Sequence, residues 1–435
     1  MLAPPASAYA KIYCAITSFP TERIWLSRLV FHGIATALIL FIFLLPQISR
    51  GDGTNVVGTN DALLEAEISK ELANTEGLSI SMWDESYSLR SSFGFRDNVL
   101  YSPSTEHPEG SGYTLNGLDV TIFRLMNNGA RFFFFVSGDD TRYFTPVKSE
   151  SFTTLQPTTI GNEDDAIASA QYRWNVSSNW ESVLALQYFY QNQVFNVATE
   201  AGALSTEAAV PAVENSLTFR PSVRGQFTSN FWAEAELRLN RQFFEAPLYS
   251  YWLAGVRLTL GVDFNAANSL TFSYEGDRLI YDSESDATVK GTNLAGTQLR
   301  TWQHEAQLRF THYFDAQKHK SSSTGASFLY NVDNDSGFYN YHNFSFDEEL
   351  AWAVGRWTFK MDAHYWRYNF DWQTADIAGT PKLERDIVTC SARVERKLTK
   401  HWSLFAEYEH DASLCNDPAD RYEANIADAG MGLDF

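Results

Sequence analysis

The chain has 435 residues, 15% of them aromatic, three cysteines and a formal charge of −20. A mean hydropathy of −0.27 excludes a polytopic helical membrane protein, which needs several apolar runs of about 20 residues. The acidic balance excludes a nucleic-acid binder, because a negative surface repels phosphate.

The one long apolar run, 29–46, follows Arg23 and Arg28 and precedes the small residues Ser49 and Gly51. That order of basic flank, apolar run and small residues predicts a secretory signal over 1–51, cleaved near Gly51; a permanent N-terminal anchor is the alternative. The stretch ahead of Arg23 is over-long for such a leader, as a start codon placed too early would make it. Lys11, Glu22, Arg23, Arg28 and Arg50 carry a net +3, so the remainder stands at −23. Residues 52–86 are expected to form an N-terminal periplasmic segment or plug. Within them DALLEAEISKELAN, 61–74, sets Leu63, Leu64, Ile68 and Leu72 on one side of a helix.

From about Tyr87 to the end the period changes from helical to two. In FWAEAELRLNRQF, Phe231, Ala233, Ala235, Leu237, Leu239 and Phe243 share one face, interrupted by Arg241, while Trp232, Glu234, Glu236, Arg238, Asn240 and Gln242 share the other. YWLAGVRLTLGVDF, WTFKMDAHYWRY and WSLFAEYEH divide the same way, with Arg257, Lys360, Asp362, Glu407 and Glu409 on their polar faces. Segments of roughly twelve residues or more are long for a soluble sandwich and right for a tilted bilayer crossing. Sixteen are expected: 87–102, 112–125, 130–142, 163–176, 180–195, 214–228, 231–246, 249–264, 268–283, 299–315, 322–334, 339–354, 356–371, 383–398, 401–414 and 421–435. Merging or splitting one hairpin would make the count 14 or 18.

Tight connections such as SSN, TSN, NAAN and VGR alternate with long loops near 143–162, 196–213, 284–298 and 372–382. Short turns on one side and long loops on the other predict an all-β fold, a transmembrane antiparallel up-and-down barrel over 87–435. Strands leaving tight turns begin with Trp180, Phe231, Trp357 and Trp402, rings suited to a bilayer interface and expected to form an aromatic girdle. Cys14 lies in the leader. Cys390 and Cys415 fall on adjacent strands with Cys415 opposite about position 384, out of register for a disulfide.

The chain ends AGMGLDF, with Ala429, Met431, Leu433 and Phe435 alternating with Asp428, Gly430, Gly432 and Asp434. This ending resembles the C-terminal signal of Gram-negative outer-membrane barrels. The resemblance implies that Met431, Leu433 and Phe435 are read by the barrel-assembly machinery. The region 87–435 resembles porin-like outer-membrane barrels, and FRDNVLYSP (95–103) resembles the opening of uncharacterised β-barrel porin families. No constriction-loop motif is recognisable; ATEAGALSTEAAVPAVEN (198–215) is the candidate to fold into the lumen by length and position.

Sixteen strands enclose a bore wide enough for water. Pore-lining candidates are Glu234, Glu236, Arg238, Arg257, Glu305, Arg309, Lys360, Asp362 and Glu407, whose charges would set ion preference. His304, His312, His342, His364 and His410 show no spacing to a nucleophile, so catalysis is not expected. The acid clusters NEDD (162–165), DSESD (282–286), DNDSG (333–337) and DPAD (417–420) are expected at the long-loop end, where divalent cations or cation-bridged lipid could bind; none has EF-hand spacing. The expected function is passive diffusion of small hydrophilic solutes across the outer membrane of a Gram-negative bacterium, cation-leaning and without cofactor. A plugged structural or export-associated barrel is the alternative. Expected partners are outer-membrane lipid, the assembly machinery and the solutes, with homo-oligomerisation left open and nucleic acid excluded.

Overall fold

Alternation over such long segments leaves each strand with an apolar face, a polar face and two edges of unpaired backbone groups. In lipid those edges must be paired, and closing the sheet on itself pairs all of them. The computed structural model describes residues 83–102, 108–126, 130–148, 159–198, 207–244, 250–375 and 381–435. The expected leader and the 61–74 helix lie outside these residues.

Sixteen antiparallel strands close into one barrel. They are β1 (Asp84–Arg96), β2 (Ser111–Leu125), β3 (Arg131–Lys148), β4 (Thr159–Ser177), β5 (Trp180–Ala198), β6 (Glu207–Gln226), β7 (Phe231–Phe244) and β8 (Tyr251–Asn265), followed by β9 (Asn268–Tyr281), β10 (Arg300–Tyr313), β11 (Lys320–Asp333), β12 (Tyr341–Val354), β13 (Trp357–Thr374), β14 (Lys382–Lys397), β15 (Trp402–Cys415) and β16 (Tyr422–Asp434). Each strand pairs with its neighbours in sequence, and β16 returns to β1 with Leu433 opposite Leu89 and Met431 opposite Ser91. Phe435 completes the seam: its amide donates to Tyr87 O at 2.9 Å, and its ring stays exposed on the outside.

The outward face is apolar for a fixed height. Leu237, Val256, Leu258, Leu260, Phe272, Leu308, Phe346, Met361, Leu404 and Met431 all stand exposed on it, as lipid contact requires and water would not favour. Polar groups take over on the same face at Asn116, Asp140, Asn215, Arg241, Arg278, Arg367, Asp386 and Asn425. Each lies roughly ten residues from its strand's tight turn, so the belt stands about 25 Å tall. Arg241, which interrupts the apolar pattern in sequence, therefore sits at the belt's upper edge. Its guanidinium is 4.5 Å from the Phe243 ring and 5.0 Å from Trp252, and it donates to Asp282 at 2.9 Å. That hydrogen bond lowers the Asp282 carboxyl below its ordinary range. Arg278 rests in the same way over Trp302, at 5.2 Å. Trp180, Trp357 and Trp402 stand outward at the opposite edge, beside the tight turns. Within the belt Glu348 is a charged interruption, its carboxylate accepting hydrogen bonds from Ser322 (2.7 Å) and Thr324 on the same face.

Several expected boundaries move. β1 begins at Asp84 and stops at Arg96, because Asn98 folds the chain inward: its Nδ2 donates to Ser102 O at 2.9 Å and its Oδ1 accepts from the Ser102 amide at 2.8 Å. Strands β3 to β6 are 18, 19, 19 and 20 residues long and absorb much of the loops expected around 143–162 and 196–213. NEDD therefore lies within β4, and residues 207–215 of the expected lumen loop are wall strand; 199–206 lie outside the described residues. Cys415 faces Arg385 and Cys390 faces His410, and both thiols are free.

Candidate functional site in the barrel lumen

With the outer face given to lipid, the alternate residues of every strand face inward, and there the ionisable side chains gather. Glu234, Glu236 and Arg238 lie on the inward face of β7, and Arg257 on that of β8. Glu305 and Arg309 lie inward on β10, Lys360 and Asp362 on β13, and Glu407 on β15. Arg238 and Arg257 converge on β9: Arg257 donates to Glu275 at 2.7 Å, and Arg238 contacts Glu275 and lies 2.9 Å from Asp277. Arg309 reaches β12, 2.8 Å from Asp347 and 3.2 Å from Glu349. Ser391 donates to Asp362 at 3.3 Å, and Arg393 to Glu407 at 3.0 Å. Among the described residues Glu234, Glu236, Glu305, Lys360 and Asp362 have no ion-pair partner, Lys360 facing Arg393 across the β13–β14 ladder.

One arrangement recurs three times. Arg90, Gly117 and Asp139 stand opposite one another on β1, β2 and β3. Arg238, Gly255 and Asp277 do so on β7, β8 and β9. Arg309, Gly325 and Asp347 do so on β10, β11 and β12. In each row guanidinium and carboxylate meet over the glycine, at 2.6, 2.9 and 2.8 Å. A Cβ on any of these glycines would fall within 3.0 Å of the aspartate's carboxylate. Side-chain exposures of 29% and 21%, 21% and 5%, and 17% and 11% for the three pairs show the charges lying flat against the wall.

The β13–β15 sector is built differently. There Asp362, Ser391 and Glu409 form the corresponding row, acidic at both ends. Asp411 and Asp428 continue the acidic surface; their described side-chain partners are the phenols Tyr422 and Tyr113, each at 3.4 Å. At the long-loop end, residues 97–102 fold over the inner wall. Val99 and Leu100 are buried with Tyr113, Tyr143, Val147 and Ile160, and Arg96 pairs with Glu163 at 3.0 Å. Burial pushes the Tyr101 phenol up to about 12.

Sequence parity picked out Arg238 and Arg309 but missed Asp277, Asp347, Gly255 and Gly325, because a row depends on register between strands. Counting back from the two-residue turn at 266–267 places Gly255 opposite Arg278, and the register shift between Asp263 and Asn265 is what brings Asp277 there; the β7–β8 connection permits no such count for Arg238. Of the histidines, His304, His312, His342 and His410 face outward, and His364 faces inward, its ring 5.4 Å from Trp366. Among the described residues no three carboxylate, histidine or cysteine groups gather as a metal site would need. DSESD and DNDSG lie at the long-loop end, where Tyr339, two residues past the second, donates to Glu284 on the first at 3.1 Å.

A closed sixteen-strand antiparallel wall, apolar outside and charged inside, is the architecture of a porin-like outer-membrane barrel. No family model matches the sequence, and no curated protein matches it. Among solved structures it is similar to OccAB1 of Acinetobacter baumannii, at 9% identity over 82% of this chain and 97% of that one, with a TM-score of 0.41. An anion-selective porin from Comamonas acidovorans gives 9% identity, 81% and 99% coverage and a TM-score of 0.41. The outer membrane protein OprD from Pseudomonas aeruginosa gives 11%, 81%, 94% and 0.39. At such identities and scores the likeness carries nothing about solute or ion preference, and the fold rests on the closed ladder itself.

Proposed function

We propose that the chain is a passive diffusion channel of the outer membrane for small hydrophilic solutes, with a preference for cations. The observation that carries this reading is the inward face itself: a closed wall lined by ionisable and hydroxyl side chains needs water on that side. The β13–β16 acids Asp362, Glu409, Asp411 and Asp428, with the formal charge of −20, support the cation preference. Solutes would cross by diffusion, and the wall's charges would weight which ions enter. Met431, Leu433 and Phe435 on the closing strand are proposed as the segment the assembly machinery reads. A plugged scaffold is the second reading, favoured by the fold of residues 97–102 over the inner wall.

The test is single-channel recording of the protein purified from membranes and placed in a planar bilayer, with reversal potentials taken in a KCl gradient. Discrete steps with a cation-directed reversal potential support the channel. A correctly folded barrel that stays silent overturns it in favour of the plugged scaffold.

A further inference from the structure

We propose that Gly117, Gly255 and Gly325 are specificity-determining residues, each an empty position over which an arginine and an aspartate cancel flat on the lumen wall. The proposal rests on the channel reading above, since ion preference belongs only to a conducting lumen.

The geometry is demanding. Neighbouring strands lie about 4.8 Å apart, so inward side chains two strands apart start roughly 10 Å from one another. An aspartate is short, and an arginine spans the remaining gap only by lying across the intervening strand. A side chain at the middle position of the row stands in that path; without a glycine, Arg131 on β3 and the longer Glu181 on β5 meet diagonally, opposite different β4 residues. The three rows solve the problem identically, with arginine on the first strand, glycine on the second and aspartate on the third. Inward glycines elsewhere in this wall are covered too: the Tyr113 ring lies over Gly94 and the Trp232 indole over Gly261.

The electrical consequence follows from what a passing ion meets. A lone charge facing the lumen acts on ions over a Debye length of about 8 Å. An opposed pair held flat acts as a dipole, whose effect falls off faster. The rows therefore withhold three carboxylates and three guanidiniums from the permeation path. Ion preference is left to groups without such a counter-charge, among them Glu409 and Asp362.

The Arg309 row gives the test, read as the K⁺ over Cl⁻ permeability ratio of the full protein. Arg309→Gln removes one positive charge, frees the Asp347 and Glu349 carboxylates, and is expected to raise the ratio about twofold, the factor a unit charge exerts through water at roughly 8 Å. Asp347→Asn is expected to lower it by a similar factor, and the double variant to return it to that of the unaltered protein. Gly325→Ala leaves every charge in place yet pushes the Asp347 carboxylate off the wall. It is expected to raise the ratio as Arg309→Gln does, while Gly276→Ala, on the outward face, changes nothing. A conducting protein whose ratio is unmoved by Gly325→Ala, or moved the same way by both single charge variants, overturns the proposal and leaves the channel standing. Silence of the unaltered protein overturns both. Should a variant fail to assemble, judged by heat-modified mobility on a gel, Arg90→Gln, Asp139→Asn and Gly117→Ala decide in the same way.

Discussion

The β10–β12 and β13–β15 sectors both set charged residues on the inward face and reach opposite electrostatic ends. In the first, the middle position of the row is Gly325 and the flanks are Arg309 and Asp347. In the second, the middle is Ser391 and the flanks are Asp362 and Glu409. Absence of a side chain lets opposite charges meet two strands apart. Its presence, with like charges on both sides, leaves the two carboxylates without a counter-charge in their row. What a charged residue contributes in a barrel depends on the residue between it and its counterpart as much as on its own identity.

The largest effect is expected from filling the empty position. Gly325→Leu forces Arg309 and Asp347 apart and should cost about 1–3 kcal/mol of stability, the usual range for overpacking. Ser391→Leu should cost less, because no pair crosses it; urea unfolding in lipid vesicles measures both. Next, Ser391→Gly combined with Glu409→Arg would build a fourth row opposite Asp362. That replaces an anion with a cation, and the K⁺ over Cl⁻ ratio should fall about fivefold. Glu409→Gln alone should lower the ratio about twofold by the same reasoning, and an unchanged reversal potential would remove Glu409 from the preference.

The smallest effect concerns a carboxylate with no cation beside it and no lumen to face. Asp286, in the 282–299 loop, is fully buried, and its Oδ2 has no hydrogen-bond partner among the described residues. Burial raises its carboxyl above the ordinary range, opposed by the hydrogen bond from the Ala287 amide. A carboxyl raised in the folded state favours the fold while protonated, so that contribution is lost as pH rises past the ordinary carboxylate range and regained on acidification. Asp286→Asn should remove this dependence and slow amide exchange of Leu294, which donates to Asp286 O at 2.7 Å, most visibly at neutral pH. Exchange as pH-sensitive in the variant as in the unaltered protein would count against it.

How far the sequence revealed all this depends on the length scale of each feature. Alternation is local, so the sixteen strands and the face of Glu236 or Leu258 could be read directly. The closing seam was also legible, because Phe435, Leu433 and Met431 repeat one parity up to the chain's end. Strand ends at the long-loop side were not. There lipid does not constrain composition, and the small cluster around Val147 and Ile160 leaves no period-two signature, so β3 to β6 continue through stretches that read as loop. The rows were hidden for a different reason: Arg238 and Asp277 are each paired to Gly255 by a register that parity leaves free. The inward turn at Asn98 depends on one side chain bonding to Ser102 and on its Nδ2 reaching Glu423 O at 3.0 Å, across the seam between the two ends of the barrel.

The extension of β3 to β6 has a practical consequence. The outermost residues of these strands rise beyond the height at which Asp140 and Asn215 end the apolar belt, with β5 and β6 still paired out to Ala198 and Glu207. That outer part of the ladder lies past the lipid and beyond the three charge rows. It is a mast rather than a hull: an affinity tag or fluorophore inserted between Ala198 and Glu207 would ride clear of the bilayer. Electrical recordings could then be paired with an optical report on the same molecule without touching the wall that ions pass.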